Sequence, residues 1–186
     1  MTIEYAILGM LSWKPMTGYD MKRMMQESPV MYWSGNNNQI YKALVSLLDQ
    51  GYATSELQYQ ESAPNKKIYS ITERGQEALL DWVFKTEPEL PEFKKTFLIQ
   101  LSWAGNLSVS QIEQMLTRYE IIISEQLAMR KEEKRRQKNF PNRSRQEQCI
   151  WEGIYENLQM ALEAEQNWIQ QFRKNLKERI EKEDEN

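Results

Sequence analysis

The chain opens in a helical rhythm. Ile3, Ala6, Ile7, Met10 and Leu11 recur at three- and four-residue intervals, which gathers them on one side of a helix. Lys14-Pro15 interrupts the pattern. Thr17, with Asp20 three residues on, then has the form of a capping box. The second helix it predicts runs to about Gln26, with Met21, Met24 and Met25 for the core, and ends at Ser28-Pro29. A third helix follows three consecutive asparagines: its apolar positions are Ile40, Leu44, Leu47 and Leu48, and Gly51 suits the residue after a helix end. There the period changes from between three and four to two. Residues 52–60 and 66–72 alternate and are rich in Tyr, Thr and Ile, which predicts two strands joined through a turn at 61–65. Thr72 caps a fourth helix beginning at Glu73.

Pro88 and Pro91 mark a boundary, giving an N-terminal domain at 1–87 and a second domain at 92–186. The second domain reads as helical throughout, over about 93–104, 109–139 and 144–182, with "NFPNRS" breaking the last two. Its final helix carries Trp151, Ile154, Tyr155, Leu158, Leu162, Trp168, Ile169, Phe172 and Leu176, a stripe recurring every three or four residues. Three short helices followed by a hairpin is the order of a winged helix-turn-helix. The expected class is therefore mainly α: an N-terminal winged helix-turn-helix with a two-stranded β-wing, plus an all-helical C-terminal dimerisation domain.

Composition narrows the chemistry. Among 186 residues there is one cysteine, Cys149, and no histidine. A lone cysteine cannot form an intrachain disulfide, so a reduced, cytoplasmic thiol is expected. Without histidine there is no Ser/His or Cys/His nucleophile system and no histidine metal ligand. No glycine-rich phosphate loop and no metal-spaced carboxylate cluster is present, so neither catalysis nor a cofactor is expected. No apolar run approaches the roughly 18 residues of a membrane span, and no export signal is expected. The net charge of −3 argues against a nucleic-acid binder of the usual basic kind. Residues 1–91 are themselves acidic, with 8 Lys/Arg against 11 Asp/Glu. Contact with DNA would have to come from local placement of charge.

The asparagines bear on that question. In a winged helix-turn-helix the third helix enters the major groove N-terminal end first. Asn36, Asn37, Asn38 and Gln39 would stand there, each offering the donor and acceptor that match adenine N6 and N7. Tyr41 and Lys42 lie one turn along. A cluster that only caps a solvated helix start fits the same residues. Lys66 and Lys67, beside the hairpin turn, are placed to meet a DNA backbone, or else to solubilise a turn.

Three spaced segments bear on these readings: "YAILGMLSWKPMTGYDM" at 5–21, "YWSGNNNQIYKALVSLLDQGY" at 32–52 and "KKIYSITERGQEAL" at 66–79. Together they resemble the PadR family of bacterial transcriptional regulators, and the helical second half resembles that of its larger members. The resemblance implies a homodimeric DNA-binding protein, usually a repressor, that binds double-stranded operator DNA and in many members answers to a small molecule. It implies that Gln39, Tyr41 and the residues before them read bases, that Thr17 and Tyr19 lie close to phosphates, and that Lys66 and Lys67 belong to the wing. A winged-helix adaptor that binds a protein instead of DNA is the alternative, and the acidic N-terminal half favours it.

The stripe on the last helix needs a covering surface. A second copy using Leu158, Leu162, Trp168, Ile169 and Phe172 would provide one, and would set two recognition helices roughly 34 Å apart on a palindrome. Trp33, Trp103, Trp151 and Tyr155 are candidates for the walls of a pocket for a small aromatic effector, or are ordinary core anchors. The absence of histidine puts sensing of phenolic acids in doubt. Residues 130–145 hold eight Lys/Arg against two Asp/Glu, a run that reads as a salt-bridged helix end more readily than as a second phosphate patch.

Overall fold

A computed structural model describes residues 2–28, 30–31, 37–59, 65–90, 95–136 and 143–184, with only the backbone at 2, 37 and 179–184. The chain divides into two compact units, Met1–Leu90 and Pro91–Asn186.

In the first unit the helices α1 (Thr2–Leu11), α2 (Gly18–Glu27) and α3 (Asn37–Asp49) precede the hairpin strands β2 (Ala53–Gln58) and β3 (Lys66–Ile71), and α4 (Glu73–Lys85) closes the unit. The apolar faces foreseen for α1 to α3 supply its core: Ile7, Met10, Leu11, Met21, Met25, Ile40, Leu44 and Leu47 are all buried. Leu8 and Ala43 join them, because the α1 and α3 stripes are wider than a minimal pattern suggests. Tyr5 of α1 stacks on Trp82 of α4 with ring centroids 4.8 Å apart. Gly51 takes φ +69°, the left-handed conformation that ends α3 at low cost.

One element escaped the periodicity. Met16–Thr17 form a two-residue strand, β1, and the sheet has three strands in the order β1-β3-β2, both pairings antiparallel. The hairpin remains two-stranded, but its inner strand is pinned to the residues that start α2. Two residues are too few to show an alternation, so only the pairing reveals them.

The junction of β3 and α4 is tight. The Thr72 hydroxyl donates to the Gly51 carbonyl at 2.8 Å and accepts from the Gly75 N–H at 3.0 Å, while Thr72 N–H donates to the Tyr52 carbonyl. This capping threonine therefore also ties α4 to the end of α3.

In the second unit α5 (Thr96–Ser102) is shorter than expected. Its end tightens into one 3-10 turn at Ala104–Asn106, with Trp103 N–H donating back to Gln100. The helices α6 (Val109–Arg136) and α7 (Arg145–Asp184) run antiparallel: Arg173 reaches Glu113 and Glu120, whereas Gln166 meets Ser124. Phe97, Leu116, Ile123, Leu127 and Ile169 form the core, with Leu162, Trp168 and Phe172 packed against it. Phe97 stacks on Tyr119 with centroids 4.0 Å apart.

The Tyr119 hydroxyl donates to Glu165 at 3.0 Å, and Lys95 pairs with the other oxygen of the same carboxylate. Burial first, then the bond to Glu165, pushes the Tyr119 phenol up to about 12. A raised folded-state value means that the neutral phenol stabilises the fold. That contribution is complete below about pH 10, the ordinary tyrosine value, and is lost as pH rises through about 12. We expect Tyr119→Phe to remove this step from the pH dependence of the denaturation midpoint; an identical alkaline decline in both proteins rejects the assignment.

Candidate nucleic-acid interface

The short pairing of β1 with β3 sets Met16 opposite Tyr69 and Thr17 opposite Ile68. The start of α2 therefore lies beside the inner strand of the hairpin. Between them opens a groove of about 470 Å³, walled by Thr17–Asp20, by Tyr41 of α3, and by Asn65–Lys67 with Tyr69. Residues from three segments thus share one concavity.

Gly18 makes the groove possible. A β-carbon there would lie 3.2 Å from Cε1 of Tyr41 and 3.4 Å from Cδ1 of Leu44, so the Tyr41 ring rests against bare backbone. Even so placed, Tyr41 is 52% exposed, and Tyr19 is 68% exposed. Tyr69 is the reverse: it is buried, and Lys67 Nζ stands 5.4 Å from its ring centroid. Burial, with the Tyr41 phenol adding to it, pushes the Tyr69 phenol up, so this ring serves as a neutral floor under a lysine.

The charge around the groove is mixed. Lys66 and Lys67 are exposed on the strand side, and Asp20 lies on the helix side. Asp20 is partly committed. The Thr17 hydroxyl accepts from the Asp20 N–H at 3.1 Å and donates to the Asp20 carboxylate at 2.7 Å. In a capping box the acid would accept from the backbone N–H of Thr17; here it takes the hydroxyl proton. The Thr17 proton is thus in use within the chain, whereas Tyr19 stands exposed at the groove.

The outward face of α3 continues from this groove. Asn38, Tyr41, Lys42 and Val45, at the 0, 3, 4 and 7 spacing of one helix side, line a second opening of about 340 Å³. Gln39 is exposed as well. Asn37 is the first residue of α3, and Asn36 lies outside the described residues.

The other expected sites lie in the second unit, except Trp33, which falls outside the described residues. Trp103 is 83% exposed, Trp151 is half-buried and Tyr155 is buried. Burial, and then Glu133 against the opposing Arg130, pushes the Tyr155 phenol up. A tryptophan this exposed does not yet wall a cavity. Among the residues expected to face a second copy, Ile169 is fully buried within its own chain and has no surface to offer. Leu158, Leu162, Trp168 and Phe172 are half-buried, the last three against the intrachain core. The α6–α7 contact consumes much of the stripe that sequence reasoning assigned to a partner. In the basic run, Arg130 pairs with Glu133, Arg135 and Arg136 with Glu132, and Arg143 with Glu147. Residues 137–142 of that run lie outside the described residues.

Periodicity did not single out Gly18, Asn65, Tyr69 or Val45. Gly18 and Tyr69 stood inside recognisable motifs, Thr-Gly-Tyr-Asp and Tyr-x-Ile-Thr, and that was the available signal. Val45 carried none. Among the described residues no three His, Cys, Asp or Glu side chains are placed to hold a metal, and no helix is long and apolar enough to cross a membrane.

Residues 7–81, which hold these elements, match the transcriptional regulator PadR-like family. The negative transcriptional regulator PadR of Bacillus subtilis is 32% identical over 106 residues, covering 57% of this chain; the chain spans 58% of that relative's length. The structure is similar to that of Bacillus subtilis PadR in complex with operator DNA, with a TM-score of 0.79 at 22% identity over 93% of this chain and 98% of that one. It is also similar to the same protein in complex with p-coumaric acid, with a TM-score of 0.74 at 20% identity over 95% and 99%. At these identities the structural likeness establishes the fold: a winged helix-turn-helix followed by a helical region. The family is one of regulators and is not known for catalysis. The matched span covers both grooves and the sheet that aligns them, and over residues 7–81 the chain is similar to the PadR-like family of transcriptional regulators.

Proposed function

We propose that the chain is a repressor that binds palindromic operator DNA as a homodimer and is released by a small aromatic effector. The observation that carries the reading is the convergence of Tyr19, Tyr41, Lys66 and Lys67 on one groove continuous with the outward face of α3. Residues 1–87 form the DNA-binding domain, with Asn36, Asn37, Asn38, Gln39, Tyr41 and Lys42 entering the major groove. Lys66, Lys67 and Tyr19 contact phosphates, and Thr17 positions Tyr19 by capping α2. Residues 92–186 form the dimerisation domain.

The second unit exposes Ile121, Ile122, Met129, Ile150 and Met160. That much exposed aliphatic surface supports a partner subunit. With Ile169 spent inside the chain, these residues and the half-exposed edges of Leu158, Leu162, Trp168 and Phe172 cover one another across the dimer. We expect Ile122→Glu with Met160→Glu to halve the mass found by light scattering; a mass unchanged from the parent rejects this face.

The likeness to a protein solved with p-coumaric acid supports an aromatic effector, with Trp103, Trp151 and Tyr155 of the second unit as candidates to meet it. Such a ligand would relieve repression by favouring a dimer whose half-site spacing no longer fits DNA. The protein then works in the cytoplasm, on the nucleoid. Selection from a random DNA pool tests the whole reading. A palindrome is expected, bound with an affinity that falls by orders of magnitude from low to moderate salt. Failure to enrich any sequence would overturn it in favour of a protein-binding adaptor, the reading that the acidic N-terminal half supports.

A further inference from the structure

Helix α3 has an apolar residue on the wrong side. Its buried face is Ile40, Ala43, Leu44 and Leu47. Val45 is on the opposite side, 56% exposed, in line with Asn38, Tyr41 and Lys42. A β-branched residue in mid-helix lowers helix propensity. At this position it also leaves its methyls in water. Nothing in that stripe explains the choice by charge or hydrogen bonding, since valine offers neither. One turn further on stands exposed Asp49, which phosphates repel, so the part of α3 able to lie against DNA ends at Val45.

We propose that Val45 is a specificity residue that reads the 5-methyl group of a thymine. This rests on the reading of α3 as the major-groove helix. Along the major-groove edges of the bases, the thymine methyl is the one apolar group, and it marks T·A among the four pairs. Valine in a helix holds essentially one side-chain rotamer, so its methyls stand at a defined position and can discriminate by fit. Val45 lies seven residues beyond Asn38, about 10 Å along the helix axis. At roughly 3.4 Å per base step that is about three base pairs. Each half-site therefore carries a thymine within about three base pairs of the base that Asn38 reads.

The test uses the full-length protein and the operator obtained by selection. Each thymine of the half-site is replaced in turn by deoxyuridine, which removes the methyl and nothing else, and binding is measured by fluorescence anisotropy for the parent and for Val45→Ala. At one thymine per half-site the parent should lose about fourfold in affinity, the ratio expected for burying one methyl-sized group. Val45→Ala should lose less than about 1.5-fold at that base. Its melting temperature should not fall, because alanine is the better helix former at an exposed position. Equal uracil penalties in the two proteins at every thymine overturn the proposal while leaving the α3 reading intact. If no sequence is selected at all, the α3 reading itself has failed and the proposal falls with it.

Discussion

Gly75→Ala should lower the melting temperature of the first unit by more than about 10 °C, a loss of about 3 kcal/mol for a domain of this size. The reason lies in one distance. A β-carbon on Gly75 would stand 2.1 Å from the Tyr52 carbonyl oxygen and 2.9 Å from Cγ1 of Ile71. The first of these is backbone, and it is not free to move: the same carbonyl accepts the Thr72 N–H at 3.0 Å, and Tyr52 N–H donates to Leu47 at 2.9 Å. To admit one methyl group, α4 must swing away from the end of α3. That breaks the Thr72 cap and the bond from Thr72 to Gly51, and it parts Trp82 from Tyr5. In an uncrowded helix first turn the same change would be neutral or stabilising, since alanine is the better helix former. Thermal unfolding followed by circular dichroism checks it, and a midpoint within about 2 °C of the parent would mean that the α3–α4 junction yields easily.

The second large effect is on DNA. Asn38→Ala removes an exposed amide from the leading end of α3. If that amide pairs with adenine in each half-site, its loss costs about 1–3 kcal/mol per half-site. Over a palindrome the affinity should fall by at least about thirtyfold. The competing role, capping the helix start, predicts a different pattern: a lower melting temperature and a roughly proportional loss of binding to every sequence. Measuring melting and operator binding on one variant separates the two. Normal stability with lost specificity supports base reading. Lost stability with retained specificity returns the asparagines to capping.

The order of helices and strands was legible because each is set by nearby residues. The three-and-four spacing of Ile7, Met10 and Leu11, or of Ile40, Leu44 and Leu47, decides which side of a helix turns inward. Thr17 and Thr72 mark helix starts through hydroxyls that need neighbours only three residues away. Gly51 ends α3 through its own backbone freedom. The exposure of Asn38, Gln39, Tyr41 and Lys42 was legible for the same reason, as the complement of a buried face. The end of α5 was not, because a 3-10 turn at Ala104–Asn106 leaves no periodic trace.

The chain by itself determined the helices and hairpin of its first unit, the caps of α2 and α4 and the inward faces of α1 to α3, since those follow from residues within a turn or two of one another. The tertiary structure alone decided that Met16–Thr17 pair with β3 and so bring Tyr19, Tyr41 and Lys66 around one groove. It alone decided that Gly75 is the pivot against Tyr52, and that Ile169 is spent within its own chain. Each of these depends on groups more than 20 residues apart in the chain, and local patterning is blind to whether two such surfaces meet.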